Sequence, residues 1–152
     1  MQVFLDTYAT RGIRPALARE VLSTYSELRF LAATADTNTR ILVAELVGHL
    51  VGFAQITLCA GHELAPAGTQ SELLRLYVQE PFTGQQIGTR LLNASEELSA
   101  NNGASVLWLT PWVHNVRALN FYARRGYQDY GLTYFTFEGE RHENRLYAKQ
   151  LV

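Results

Sequence analysis

The chain has 152 residues, 47% of them apolar and 18% charged, the balance of one globular domain able to bury roughly two-thirds of its unfolded surface. A net charge of −1 and a pI near 6.4 give no basic field, so nucleic acid is not an expected partner. The single cysteine, Cys59, excludes an internal disulfide, the scattered histidines form no ligand pair, and no apolar run approaches a span of roughly 18 residues, so no metal, no membrane and a cytoplasmic location are expected.

Val3 and Phe4 open a short helical pattern that Gly12 breaks. Pro15 suits the first turn of a second helix, in which Leu17, Val21, Leu22, Tyr25 and Leu28 recur at helical spacing as a core face. A polar loop from Thr34 to Thr39 follows. Ile41–Leu46 and Val51–Leu58 then read as an antiparallel hairpin about a tight turn at Val47-Gly48-His49. Gly52 inside the second strand signals a bulge or a close backbone approach. Residues 60–70 form a loop whose His62 and Glu63 read as solvated.

The most informative stretch is ELLRLYVQEPFTGQQIGTRLL, residues 72–92. A strand runs to Val78, a loop holds Pro81 and Gly84, and a helix starts near Ile87 and Gly88. A strand feeding a glycine-containing turn into a helix can hold a phosphate, because the first helical N–H groups lack partners and the dipole is positive there. An ordinary strand-loop-helix connection gives the same local pattern. Alternation puts Glu72, Leu74, Leu76 and Val78 on one strand face, and Leu73, Arg75 and Tyr77 on the other. A carboxylate beside a leucine row can have a raised pKa and serve as a base. Paired with a basic residue at the strand's exposed start, Glu72 would do neither.

The helix from Ile87 to Asn101 carries Ile87, Leu91, Ala94 and Leu98 as a core stripe, with Glu96 and Glu97 facing away and Gly103 as cap. Val106–Thr110 reads as a buried strand, parallel to the one before it through a right-handed crossover. Asn115 can cap a helix over Val116–Arg125, closed by Gly126. Gln128–Phe137 and Asn144–Leu151 read as the last strands, with Glu138-Gly139-Glu140 turning the chain.

This order resembles the GCN5-related N-acetyltransferases, the GNAT superfamily, over about residues 3–151. ELLRLYV with FTGQQIGTRLL resembles the family's strand and its acetyl-CoA pyrophosphate loop, written Q/R-x-x-G-x-G/A. LWLTPWVHNVRALNFYARRGY resembles its strand, asparagine and FY-containing helix, and the tail GLTYFTFEGERHENRLYAKQL resembles PaiA-type polyamine (spermidine/spermine) acetyltransferases. The loop departs from the pattern: Thr83 stands at the Q/R, Gln86 at the first glycine, and only Gly88 matches. The resemblance implies an α/β (α+β) fold, a mixed and mostly antiparallel central sheet splayed at the cofactor-binding strand and flanked by about four helices. The family's first strand has no counterpart here, so an upstream segment or a second copy, in a homodimer, is expected to cover the open sheet edge.

The implied reaction moves the acetyl group of acetyl-CoA, the co-substrate, to a primary amine of a small molecule, such as a polyamine. A peptide N-terminus or amino acid as acceptor, or a non-catalytic CoA-binding module, are the alternatives. An alkylammonium with a pKa near 10.4 is only about 0.04% neutral at pH 7, a cost of roughly 4.6 kcal/mol that a base helps to meet. The resemblance gives that role to Glu72, directly or through water, and the general acid to Tyr122, whose other reading is core packing. It gives the cofactor arm to Leu76, Tyr77, Val78 and Asn115, with Tyr122 beside it, and the phosphates to Gln85, Gln86, Ile87, Gly88, Thr89 and Arg90.

Overall fold

The computed structural model describes residues 1–9, 12–137 and 140–151. Three short helices open the chain, α1 (Gln2–Tyr8), α2 (Pro15–Thr24) and α3 (Glu27–Ala35). A hairpin of β1 (Thr39–Leu46) and β2 (His49–Thr57) follows, then β3 (Gln70–Val78) and a single 3₁₀ turn at Glu80–Phe82. The second half holds α4 (Ile87–Asn101), β4 (Val106–Leu109), α5 (Val116–Ala123), β5 (Gln128–Phe137) and β6 (Glu140–Gln150). The strands make one sheet in the order β1-β2-β3-β4-β6-β5, antiparallel except for β3 with β4. This is the mixed, mostly antiparallel sheet expected. The turn expected at Glu138 and Gly139 lies outside the described residues.

The helix expected to run through Leu28 is two helices. It breaks at Tyr25, and the Ser26 side chain accepts a hydrogen bond from the Arg29 N–H as the cap of α3. Leu17 and Val21 are buried as expected, whereas Leu22 and Leu28 are exposed, so they do not extend the core face. The hairpin turn has two residues, with φ of 50° at Val47 and 76° at Gly48.

Leu73, Leu76 and Val78 of β3 pack with Ala54 and Ile56 of β2 and with Leu91 and Leu92 of α4. The α4 stripe is rotated from the expected one. Ser95 and Ser99 are buried, while Ala94 is exposed. Glu96 does not face away, because its carboxylate takes an ion pair from Lys149 of β6 at 2.7 Å. Val106, Trp108, Leu146 and Ala148 form a second cluster on the opposite sheet face.

Gly52 is a close approach beside a bulge, since Val51 is the extra residue between the pairs Ala44↔Gly52 and Glu45↔Leu50. A Cβ at Gly52 would sit 2.7 Å from the Tyr77 carbonyl oxygen. The sheet edge at β1 is open among the described residues, as expected.

Candidate active site

The site begins with a shortfall in pairing. Strand β3 meets β4 over only three residues, Gln70, Ser71 and Glu72 against Val106, Leu107 and Trp108. Past that point β4 ends, and β3 continues to Val78 against β2 alone. The main-chain edge of β3 from Leu73 onward therefore faces a cleft of about 1870 Å³. Its walls are β3, the loop before α4, the start of α5 and the helices α1 and α2.

A bulge sets which side chains reach this cleft. Gln55 pairs with Arg75 and Ile56 with Leu73, so Leu74 is an extra residue in β3. The alternation slips by one there. Leu73, Leu76 and Val78 share the core face, and Glu72 lies instead with Arg75 and Tyr77, opposite Thr57 and beside Trp108. The expected grouping of Glu72 with Leu74, Leu76 and Val78 is thus corrected. Burial still lifts the Glu72 carboxyl above its ordinary range, with Arg75 pulling it back. Glu72 is half-buried and does not line the cleft.

At one end of the cleft lies the first turn of α4. Its first internal bond is Arg90 N–H to Gln86 O at 3.0 Å, so Ile87, Gly88 and Thr89 have no acceptor within the helix. Gln86 takes φ 63° and ψ 7°, the left-handed conformation that glycine adopts freely. The loop thus keeps a glycine-like turn with a side chain on it. Bare Gly88 faces the ring of Phe121 and lets a ligand near the backbone. These donors and the helix dipole fit a diphosphate. Gln86, Ile87, Gly88 and Thr89 line the cleft, while Gln85 and Arg90 do not.

The same wall carries α5. Asn115 caps it as expected, its Oδ1 accepting the Ala118 N–H at 3.1 Å. Tyr122 is 8% exposed, packs 5.6 Å from the Tyr127 ring, and reaches the cleft. Packing and a chemical role therefore coexist at one side chain. Sequence reasoning missed Arg125, which ties this wall together. It donates to the Phe121 carbonyl at 2.8 Å and to Thr89 Oγ1 at 2.5 Å, and stacks 3.6 Å over the Phe121 ring. Its spacing of four residues from Phe121 was the available signal.

The other end is aromatic. Tyr25 and Tyr77 share a hydroxyl hydrogen bond of 2.9 Å, the Phe4 ring lies 5.6 Å from that of Tyr25, and Trp112 and Phe135 also line the cleft. Burial, then the Tyr25 contact, hold the Tyr77 phenol far above its ordinary range, so it stays protonated. His62 is away from the cleft, its ring 5.0 Å from Trp108 and its Nδ1 accepting the Leu64 N–H. Among the described residues no three His, Cys, Asp or Glu side chains are placed to share a metal ion, and no helix is long and apolar enough to cross a membrane.

The sheet opens beside a helix N-terminus, with a phenol and a helix-capping asparagine on the same wall, a cleft that can take an elongated phosphate-bearing ligand such as that of a CoA-dependent acyltransferase. The chain belongs to the acetyltransferase (GNAT) family, whose model matches residues 8–127, and is an acetyl-CoA-dependent N-acetyltransferase. It is 27% identical over 153 residues to an uncharacterized N-acetyltransferase of Lactobacillus delbrueckii subsp. lactis, covering 99% of this chain and 87% of that one. It is 33% identical over 99 residues, 65% of this chain and 63% of the other, to an aminoalkylphosphonate N-acetyltransferase of Salmonella typhimurium. The crystal structure of a PaiA N-acetyltransferase from Thermoplasma acidophilum in complex with coenzyme A superposes with a TM-score of 0.77 at 21% identity, over 97% of this chain and 86% of that one.

Proposed function

We propose that this chain acetylates the primary amine of a small molecule by direct attack, with Glu72 as base and Tyr122 as general acid. The observation that supports it best is the separation of β3 from β4, which bares main-chain groups opposite Tyr122. Acetyl-CoA, when bound, supplies the thioester that the amine attacks. The N–H groups of Ile87, Gly88 and Thr89 take its phosphates. Leu76, Tyr77, Val78 and Asn115 hold the arm, and a main-chain N–H at Tyr77 or Val78 meets the charge that develops on the carbonyl oxygen. Glu72 takes the ammonium proton through water, since its carboxylate stands off the cleft wall. The N–C bond forms as the C–S bond breaks, and the Tyr122 hydroxyl protonates the departing sulfur.

The reading of the acceptor as a polyamine rests on the resemblance of the tail GLTYFTFEGERHENRLYAKQL to PaiA-type acetyltransferases. Among the described residues the cleft gathers no acidic row to match it. Of its wall carboxylates, Glu80 is ion-paired with Arg117 at 2.8 Å and Glu20 accepts from the Thr24 hydroxyl. Asp129 is paired with Arg145, and Glu63 sits in the loop between β2 and β3. The Salmonella relative is named for a small amine of another kind. The proposal includes a homodimer over the β1 edge, where Val43 and Val47 are exposed; sedimentation as a monomer would remove it.

The decisive experiment is CoA-thiol release from acetyl-CoA across a panel of small amines, beside calorimetry with acetyl-CoA. Amine-dependent release is expected. Tight binding without release from any amine would make the chain a CoA-binding module instead.

A further inference from the structure

The aromatic end of the cleft holds a cation with no counterion in contact. Arg75 shares a face with Tyr77, two residues on, and lines the cleft, while the bulge at Leu74 sets both on the face opposite Leu73. One Arg75 Nη1 donates to Gln55 Oε1. The guanidinium lies 5.5 Å from the centre of the Tyr25 ring, whose hydroxyl is bonded to that of Tyr77. Arg75 is half-buried, and among the described residues no carboxylate comes within 4.0 Å of it. Glu72 acts on it through space but makes no ion pair with it. A guanidinium has five N–H donors in a fixed fork; Gln55 takes one and the Tyr77 hydroxyl interacts with another, which leaves others for a ligand. A half-buried cation that faces a cleft with donors to spare is a docking point for an oxyanion.

The geometry points to an acceptor amine that carries its own anionic group, a carboxylate or a phosphonate, held by Arg75 beside the Tyr25–Tyr77 hydroxyl pair. This deepens the acetyl-transfer reading above and rests on it. Such a substrate is a zwitterion, so its anion meets the guanidinium while its ammonium goes to the bared edge of β3. A diamine or polyamine would bring a second cation toward Arg75, which disfavours it. The competing account makes Arg75 a fastening for Gln55 across the sheet. That role would alter the handling of every amine alike.

The test compares straight-chain amines of matched length that end in carboxylate, phosphonate, methyl or a second amine. CoA-thiol release gives kcat/KM for each, and calorimetry in the presence of CoA gives binding. The wild type is expected to prefer the carboxylate or phosphonate series by at least about tenfold, the scale of a charge-assisted hydrogen bond. Arg75→Gln is expected to lower that preference ratio by about 10- to 100-fold, and Arg75→Lys by less, because it keeps the charge and loses the fork. Whichever anion is favoured identifies the source. Equal use of the methyl series, or preference for the diamines, by the wild type overturns the proposal without any variant. An unchanged ratio in a folded Arg75→Gln protein does the same. Absence of release with every amine, alongside Arg75-dependent binding of the anionic series, would refute acetyl transfer while sustaining the anion site. Absence of both would refute both.

Discussion

Gly52→Ala tests whether the pairing of β2 with β3 holds the reactive edge in place. A Cβ at this position would meet the Tyr77 carbonyl oxygen at 2.7 Å, with the Val78 Cα and Leu91 Cδ1 at 3.4 Å. The closest atom is main chain and cannot rotate aside. Restoring ordinary contact near 3.4 Å requires the two strands to part by about 0.7 Å. Gly52 is itself buried, pairing with Ala44 on one side and Val78 on the other, so neither neighbour gives way freely. Overpacking of this kind costs about 1–3 kcal/mol. For a chain of this size that lowers Tm by roughly 3–10 °C. The displaced peptide is Tyr77–Val78, whose N–H is a proposed donor to the developing oxyanion. A shift of a fraction of an ångström there is expected to lower kcat by about tenfold or more, with acetyl-CoA affinity less affected. Calorimetric melting and thiol-release kinetics on the same preparation give both numbers. A Tm within about 1 °C of the wild type would show that the strands separate freely and would refute the reasoning.

Tyr122→Phe keeps the packing against Tyr127 and removes the hydroxyl, so turnover should fall at least about tenfold while calorimetry shows retained acetyl-CoA binding; unchanged turnover from pH 6 to 9 would take Tyr122 out of the reaction. The folded-state pKa of Glu72 is raised, so the folded protein binds a proton more tightly than the unfolded chain, and this residue's contribution to stability falls as pH rises from the ordinary carboxylate range through the raised value. Urea unfolding of Glu72→Gln should accordingly gain on the wild type between about pH 4 and pH 7, and a constant difference would contradict the shift. Lys149→Met leaves the Glu96 carboxylate, 16% exposed, without its 2.7 Å partner and should cost about 2–3 kcal/mol in urea unfolding. Adding Glu96→Gln to Lys149→Met should recover much of that loss, and an equal or larger loss in the double variant would show that the pair is not what holds α4 to β6.

What the sequence made legible was local. The hairpin about Val47-Gly48, the strand into Val78, the helix from Ile87 and the Asn115 cap each have their signal within a few residues, and each forms as expected. What it hid depends on a partner far along the chain. The break at Tyr25 goes with a bond from its hydroxyl to Tyr77, 52 residues on. Glu96 turns inward because Lys149 waits on another strand, 53 residues away. Gln86 stands where the family's loop has a glycine, yet it adopts the left-handed conformation that glycine takes freely, at a cost of roughly 1–2 kcal/mol for an L-residue with a side chain. Nothing in one sequence reveals that such a residue will accept this strain. The part of the site made of main-chain amides was readable only through the elements that present them.

Two local events explain why the cleft lies where it does. Strand β4 has four residues, and Pro111 lies two positions past its end with no N–H to offer a neighbour. From Thr110 the chain is tied to β6: Asn144 Nδ2 donates to the Thr110 carbonyl, Arg145 N–H to the Pro111 carbonyl, and Val113 N–H to the Glu143 carbonyl. A chain so anchored on one side leaves β3 without a partner on the other. The extra residue at Leu74 falls just where that pairing has ended. Before it, Leu73 fills the core; after it, Leu76 and Val78 pack against the core while bordering the cleft, and Arg75 and Tyr77 border the cleft from the opposite face. Without the bulge, strict alternation would place Leu73 on one face with Arg75 and Tyr77, and either the core or the cleft would carry the wrong side chains. The opening of the sheet and the chemistry of its walls therefore depend on the same few residues of β3.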